Sequence, residues 1–534
     1  MLNLILIPII TIILISILAF IVFVIALSNL KNKKRSKIKQ KKAKTILISE
    51  MDLTYDSKKS TIKETFSFLK LKNKLKAISK DEKIERIIID LDNFSFSFTE
   101  FEEVEEIFKT LRETKEVISI GSIFTKEMYL TALLTSKIYK LNTKNSYLMI
   151  NGYNKVLPYY KKLLDKIGIN VKILNVGDYK SYGENYKLES MSDNLKESIK
   201  NLSDQKLNFF IDKVKEYRGI DIRNDLVEGN LFLKDNFENL IDKSVNKYEF
   251  IEKDENLMDI LDYEVKLNRK TKKFIKKTKD YIAVITLDGT ISENELSFDK
   301  VYDKVSRISD DENLKGVILE INSPGGSAYE SSLITTMLRK ELKGLPIFVS
   351  MKDVCASGGY FIASSATKIF ANKNTLTGSI GVVSMYPNFS ELAKKVGVNF
   401  DGVKNGETTE YLDLTQDLSE KTENILLNEI KEIYKEFKLN VMRSRIMTDQ
   451  RLEKIAGGRV FTGVEAFENG LVDRIGSLED AVNEMKKYLK LDKVKLIQIS
   501  EETDFKDDIK NKISNLVIDT KLLNTPLTLY VDML

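Results

Sequence analysis

The chain repeats itself once, so it must fold as two copies of one domain rather than around a single core. Ala77-Ile-Ser-Lys-Asp-Glu82 is matched by Arg307-Ile-Ser-Asp-Asp-Glu312, and Arg86-Ile-Ile-Ile-Asp-Leu91 by Gly316-Val-Ile-Leu-Glu-Ile321. Ile118-Ser-Ile120 faces Val349-Ser-Met351, and Tyr129 faces Tyr360. Further on, Ile167-Gly-Ile-Asn170 faces Val396-Gly-Val-Asn399, and Glu228-Gly-Asn-Leu-Phe232 faces Gly457-Gly-Arg-Val-Phe461. The offset holds at about 230 residues throughout, a period that means duplicated domains rather than a solenoid.

Each copy alternates short apolar strands with helical stretches, the pattern of βαβ units in an α/β fold. Helices are predicted over Glu330–Leu342, Gly359–Ala366 and 419–443. The first domain is expected at 46–265 and the second at 280–500, joined by a basic linker at 266–279; the tail, 501–534, has no assigned role. Residues 1–30 carry no charged side chain, and Leu4 to Leu27 is long enough to cross a bilayer. A cleaved signal peptide would show a basic start and a small-residue cleavage site, so a retained transmembrane anchor is the expectation. Residues 31–44 hold nine Lys/Arg and no acid, and segment 31–45 is read as a basic juxtamembrane linker that touches anionic lipid. With those nine set aside from the 84 Lys+Arg, the body is slightly acidic against 79 Asp+Glu, which argues against nucleic acid as a partner.

Two apolar strands run into glycine turns, at Ile321-Asn-Ser-Pro-Gly-Gly-Ser327 and Cys355-Ala-Ser-Gly-Gly-Tyr360. A serine at such a turn can present its hydroxyl beside backbone N–H groups aimed at a reacting oxygen. The simpler reading makes Ser357 a helix N-cap. The chain has no histidine, so a Ser-His-Asp triad is excluded, and lysine becomes the expected base. One cysteine, Cys355, and no histidine leave no basis for a zinc site, and no cofactor or metal is expected. The repeats differ where chemistry belongs. Opposite Pro324-Gly-Gly326 the first copy has Phe94-Ser-Phe96, and opposite Ser357 it has Lys126. Opposite Lys180, in Asn175-Val-Gly-Asp-Tyr-Lys180, the second copy has Thr409. One copy kept a serine and the other its candidate base; Lys404 is the competing lysine.

The chain resembles the S49 serine peptidases of the long bacterial signal peptide peptidase type. The matching stretches are Ser323-Pro-Gly-Gly-Ser327, Ala356-Ser-Gly-Gly-Tyr360, Thr375-Leu-Thr-Gly-Ser-Ile-Gly381, Val176-Gly-Asp-Tyr-Lys-Ser181 and Gly463-Val-Glu-Ala-Phe-Glu-Asn-Gly-Leu-Val-Asp473. The resemblance implies tandem ClpP/crotonase-like domains, a Ser357/Lys180 dyad and a homotetrameric ring at the membrane. It departs from the pattern after Lys180, where Ser-Tyr-Gly-Glu-Asn stands in place of the more usual Ser-Ala-x-Glu-Pro.

The chemistry expected is amide hydrolysis. Ser357 attacks, Lys180 takes its proton, and the N–H groups of Gly326 and Gly358 hold the oxyanion. The substrates expected are remnant signal peptides and similar apolar segments. An acyl-CoA-processing crotonase-like enzyme and a non-catalytic membrane scaffold are the alternatives. Orientation is divided: the basic flank favours a cytoplasmic body, the resemblance an extracytoplasmic one.

Overall fold

The computed structural model describes residues 42–49, 51–54, 65–235, 239–247, 250–251, 254–265, 279–491 and 494–499. The expected anchor and tail lie outside the described residues, as does nearly all of the basic segment and of the linker. Among the described residues, no helix is long and apolar enough to cross a membrane.

The isoleucine-rich runs of the first half become a parallel sheet, as expected of strands buried on both faces. Its strands are β1 (Thr45–Ile48), β2 (Arg86–Asp90), β3 (Glu116–Gly121), β4 (Lys137–Leu141) and, after β5 (Asn170–Val176) has left the sheet, β6 (Lys243–Val245) and β7 (Leu257–Asp259). The order is β6-β4-β3-β2-β1-β7. The second half repeats this with β8 (Tyr281–Asp288), β9 (Leu314–Ser323), β10 (Ile347–Ala356), β11 (Lys368–Ala371), β12 (Leu376–Gly378), β13 (Val382–Asn388), β14 (Val460–Thr462), β15 (Arg474–Ile475) and β16 (Lys495–Ile499). Its main path is β14-β12-β10-β9-β8-β16, with β11 and β15 off it.

The helices that matter for the site are α1 (Phe98–Thr114), α2 (Lys126–Leu133), α3 (Lys161–Ile167), α4 (Asp193–Arg218), α5 (Ala328–Glu341), α6 (Gly358–Ala363), α7 (Ser390–Lys395) and α8 (Glu420–Arg445). The duplication extends to buried hydrogen bonds. Tyr129 donates its hydroxyl proton to Leu240 O (2.9 Å), and Tyr360 to Leu471 O (2.8 Å). Asp242 accepts from Ile138 N and Asp473 from Ile369 N, each at 2.7 Å. Each tyrosine is buried with its polar end satisfied, so each core is fixed in the same way.

Two contacts join the halves. In the first, α1 of the first half lies against β10 of the second. Glu103 on α1 binds Lys352 on β10 at 2.6 Å, and Lys352 also binds Glu320 on β9 at 2.9 Å. Lys72 completes the group on Glu103. Asp353 accepts from Ser97 Oγ (2.8 Å) and from Thr99, while Glu102 accepts from the Lys373 and Asn374 amides at 2.9 and 3.0 Å. All three side chains of the lysine-centred core, Lys352, Glu103 and Glu320, are almost fully buried, so each depends on the others for its charge. The lysines hold the Glu103 carboxyl down at about 2 despite its burial. In the second contact, β5 leaves its own half and pairs antiparallel with β13 along its full length, Val176 opposite Val382 and Asn170 opposite Asn388.

Candidate active site

β10 ends at Ala356, and the chain turns at once into α6. Ser357 occupies that turn at φ 52°, ψ −119°, a conformation costly for a residue with a side chain. It stands at the N-cap position of α6 but makes no capping hydrogen bond. Its N–H donates to Gly378 O at 2.9 Å, fixing the turn against β12. The hydroxyl is thereby free to face the other half. The equivalent turn of the first half is ordinary. There Thr125 caps α2 at φ −70°, and Lys126, opposite Ser357, donates to Asn151 O (2.8 Å) and Gly152 O (3.3 Å) and lies 4.4 Å from the centre of the Tyr153 ring.

Lys180 arrives from the first half just beyond β5. The β5–β13 pairing brings the following loop against the loop before β14. Tyr179 N donates to Gly457 O at 2.8 Å, and Gly458 N to Ile380 O at 2.9 Å. A Cβ on Gly458 would stand 2.5 Å from Lys180 N, so only glycine allows these backbones to approach so closely. Arg459 covers the Tyr179 ring at 3.7 Å. Thus placed, Lys180 Nζ lies 3.0 Å from Ser357 Oγ, 2.9 Å from Ser379 Oγ and 3.2 Å from Ser379 O. Loss of water around the amine lowers its pKa from 10.5 to about 8.

Gly326 and Gly358 meet beside Ser357. A Cβ on Gly358 would lie 3.4 Å from Gly326 N, and one on Gly325 would lie 2.7 Å from Ser357 Cβ and 2.8 Å from Gly358 N. The N–H of Gly358 opens α6, so it has no acceptor within the helix. The structure therefore brings Ser357, Lys180, Gly326 and Gly358 into one place.

It does not bring in Lys404. That lysine faces Glu410 at 4.0 Å with its side chain about half exposed, and the lowered pKa of Lys180 has burial as its cause, with no cation contributing. Thr409, opposite Lys180 in the repeat, begins a short 3-10 turn, Thr409–Leu412. Cys355 is wholly buried, and burial pushes its thiol pKa up, which makes it a core residue rather than a nucleophile.

Ser379 is the site residue that sequence reasoning missed. It too has a positive φ, 52°, and its N–H donates to Arg459 O at 2.6 Å. It belongs to the Thr375–Gly381 motif, which was the available signal; what the motif does not convey is that this turn aims Oγ and the carbonyl oxygen at the same amine. Among the described residues, no group of His, Cys, Asp and Glu could hold a metal ion.

The family model described as "Peptidase family S49" matches twice, at residues 109–260 and 339–492. Protease 4 of Haemophilus influenzae is 31% identical over 476 residues, covering 83% of this chain and 76% of that protein. The chloroplastic serine protease SPPA of Arabidopsis thaliana is 26% identical over 493 residues, or 87% of this chain and 72% of that one. A putative signal peptide peptidase SppA of Enterococcus faecium is 34% identical over 234 residues, 43% of this chain and 68% of its own.

Proposed function

From the premise that the chain belongs to peptidase family S49 and is a serine endopeptidase, we propose that Ser357 is its nucleophile and Lys180 its general base, and that it degrades remnant signal peptides at a membrane. The observation that carries the dyad is the 3.0 Å approach of Lys180 Nζ to Ser357 Oγ, made by an amine with no carboxylate to hold its proton.

An ordinary lysine, with a pKa of about 10.4, is neutral in fewer than about one molecule in a thousand at pH 7. With a pKa of about 8, roughly a tenth is neutral at that pH, enough to act as a base. The neutral amine accepts the Ser357 proton while Oγ attacks the scissile carbonyl. The backbone N–H groups of Gly326 and Gly358 receive the oxyanion. The Lys180 ammonium then gives its proton to the departing amine, and the free amine activates the water that hydrolyses the acyl-enzyme. Ser379, accepting at Oγ and O, keeps the amine aimed at Ser357 through the cycle.

The finer features rest on sequence. The anchor at 1–30 would hold the body where spent signal peptides accumulate. The two units, 46–265 and 280–500, are read as ClpP/crotonase-like domains, and four such chains would form a ring. The first half supplies the base and the second the nucleophile, which agrees with the complementary losses at Lys126 and Thr409.

The test uses the full chain in detergent with a synthetic signal peptide. Ser357→Ala and Lys180→Ala should each abolish cleavage while circular dichroism and melting stay those of a folded protein. Full activity in Lys180→Ala would refute the assignment, and loss in Lys404→Ala alongside it would move the base to Lys404. Thioester hydrolysis without peptide cleavage would favour the acyl-CoA reading instead.

A further inference from the structure

The contact that builds the site has a counterpart in the repeat that is unoccupied within one chain. In the chain, β5 of the first half pairs with β13 of the second. The duplication matches Asn170 to Asn399 and Pro158 to Pro387, so β5 has its counterpart at 399–405 and β13 has its counterpart at 153–159. Neither counterpart is a strand: both segments are irregular.

Their apolar side chains lack the cover that their equivalents have. Val403 is 104% exposed, whereas its equivalent Leu174 is 6% exposed and packs on Leu426 and Ile430 of α8. Val156 is 76% exposed and Phe400 59%.

Glycines mark the same vacancy. Gly168 (φ 86°) presses on the backbone of Leu392, with a would-be Cβ 2.7 Å from its N. Its equivalent Gly397 keeps φ 82° and has nothing within 4 Å. Gly177 (φ 112°) presses on Gly457 at 2.6 Å, and its equivalent Gly406 (φ 118°) is open. Gly458 (φ 89°) presses on Lys180, and its equivalent Gly229 (φ 73°) is open. A left-handed glycine can simply end a helix, and Gly229 does so. Gly406 follows no helix, so its conformation needs another reason.

We propose that segment 399–405 of one copy of this chain pairs antiparallel with segment 153–159 of the next, joining copies head to tail by the contact that joins the halves within one chain. The repeat sets the register: Asn399 opposite Tyr159, Gly402 opposite Val156 and Asn405 opposite Tyr153 of the partner subunit. Val403 then lands on α4 near Ile199 of the partner subunit, as Leu174 lands on α8. A contact that uses two different surfaces propagates until the rotation closes, which yields a ring rather than a two-fold dimer. At each new contact Thr409 takes the place of Lys180 and Lys126 the place of Ser357, so the junction is inert and each copy keeps one site. This inference rests on the assembly of copies proposed above, but not on the peptidase chemistry.

Cross-linking tests it without reference to cleavage. Cys355 is wholly buried, so introduced thiols react alone. The full chain carrying both Lys155→Cys and Val403→Cys, treated in detergent with a short bismaleimide, should give a ladder of linked copies ending at the closed ring. Either single variant should give none. Val403→Asp should lower the sedimenting mass to that of one chain while the protein keeps its melting transition. Absence of a ladder from the double variant, linked dimers from either single variant, or a wild-type protein that sediments as one chain would each overturn the proposal.

Discussion

Replacing Lys180 by methionine should abolish activity and yet stabilise the fold. The amine is held out of water with no opposing carboxylate, and its pKa falls from 10.5 to about 8. A drop of that size corresponds to at most about 3 kcal/mol of folding free energy given up to keep the ammonium in place at neutral pH. Lys180 keeps some exposure at the cleft, which reduces the figure, and methionine also loses the hydrogen bonds to Ser357 and Ser379, worth about 1 kcal/mol. The net gain expected at pH 7 is therefore about 1–2 kcal/mol, or roughly 2–6 °C in Tm for a domain of this size. The sign in pH follows from proton counts. Below about pH 8 both folded and unfolded chains carry the proton, and the penalty is fully present. Between about 8 and 10.5 the unfolded chain binds more protons than the folded one, so wild-type stability rises with pH and the advantage of the variant fades. Melting curves of both proteins from pH 6 to 10 measure this difference directly. A variant that melts below the wild type at pH 7, or a difference that does not change with pH, would refute the reasoning.

Peptide cleavage should rise about tenfold per pH unit below about pH 8 and level off above it, following release of the Lys180 proton; a rate flat from pH 5 to 9 in single-turnover assays would count against lysine as base. Gly458→Ala should lower kcat by about 10²-fold or more with the fold retained, because the new Cβ would stand 2.5 Å from Lys180 N and displace the amine from Ser357; unchanged kcat would show that this backbone approach is not needed. Glu103→Ala leaves the buried Lys352 with Glu320 alone, and should cost about 3–5 kcal/mol, lowering Tm by roughly 6–20 °C in a thermal melt.

The duplication, the alternating architecture and the serine and lysine could be read from the chain because each rests on local pattern or on comparison between the copies. Charges inside the fold could not. The apolar run Pro346–Met351 suggests a strand that stops where Lys352 and Asp353 begin, but β10 continues to Ala356. The two charges are tolerated there because Glu103 and Glu320 neutralise Lys352, and Ser97 and Thr99 donate to Asp353. Those partners lie on β9 and, from the other half, on or just before α1, so no window of sequence contains them. Ser379 escaped notice for a related reason: its role depends on a left-handed turn and on a lysine from the opposite half. The helix after Ser357 is also shorter than predicted, ending at Ala363 rather than 366, where Ser364 and Ser365 turn their hydroxyls back to Phe361 O and Ile362 O.

The central claim is that Ser357 is a nucleophile activated by Lys180. Its most direct test is covalent labelling of the full chain with a serine-reactive peptide phosphonate, the adduct located by peptide mass mapping. The account predicts one adduct, on Ser357, that forms faster as pH rises through about 8, and no adduct in either Ser357→Ala or Lys180→Met. An adduct on another serine, or labelling of Ser357 at the wild-type rate in Lys180→Met, would contradict it.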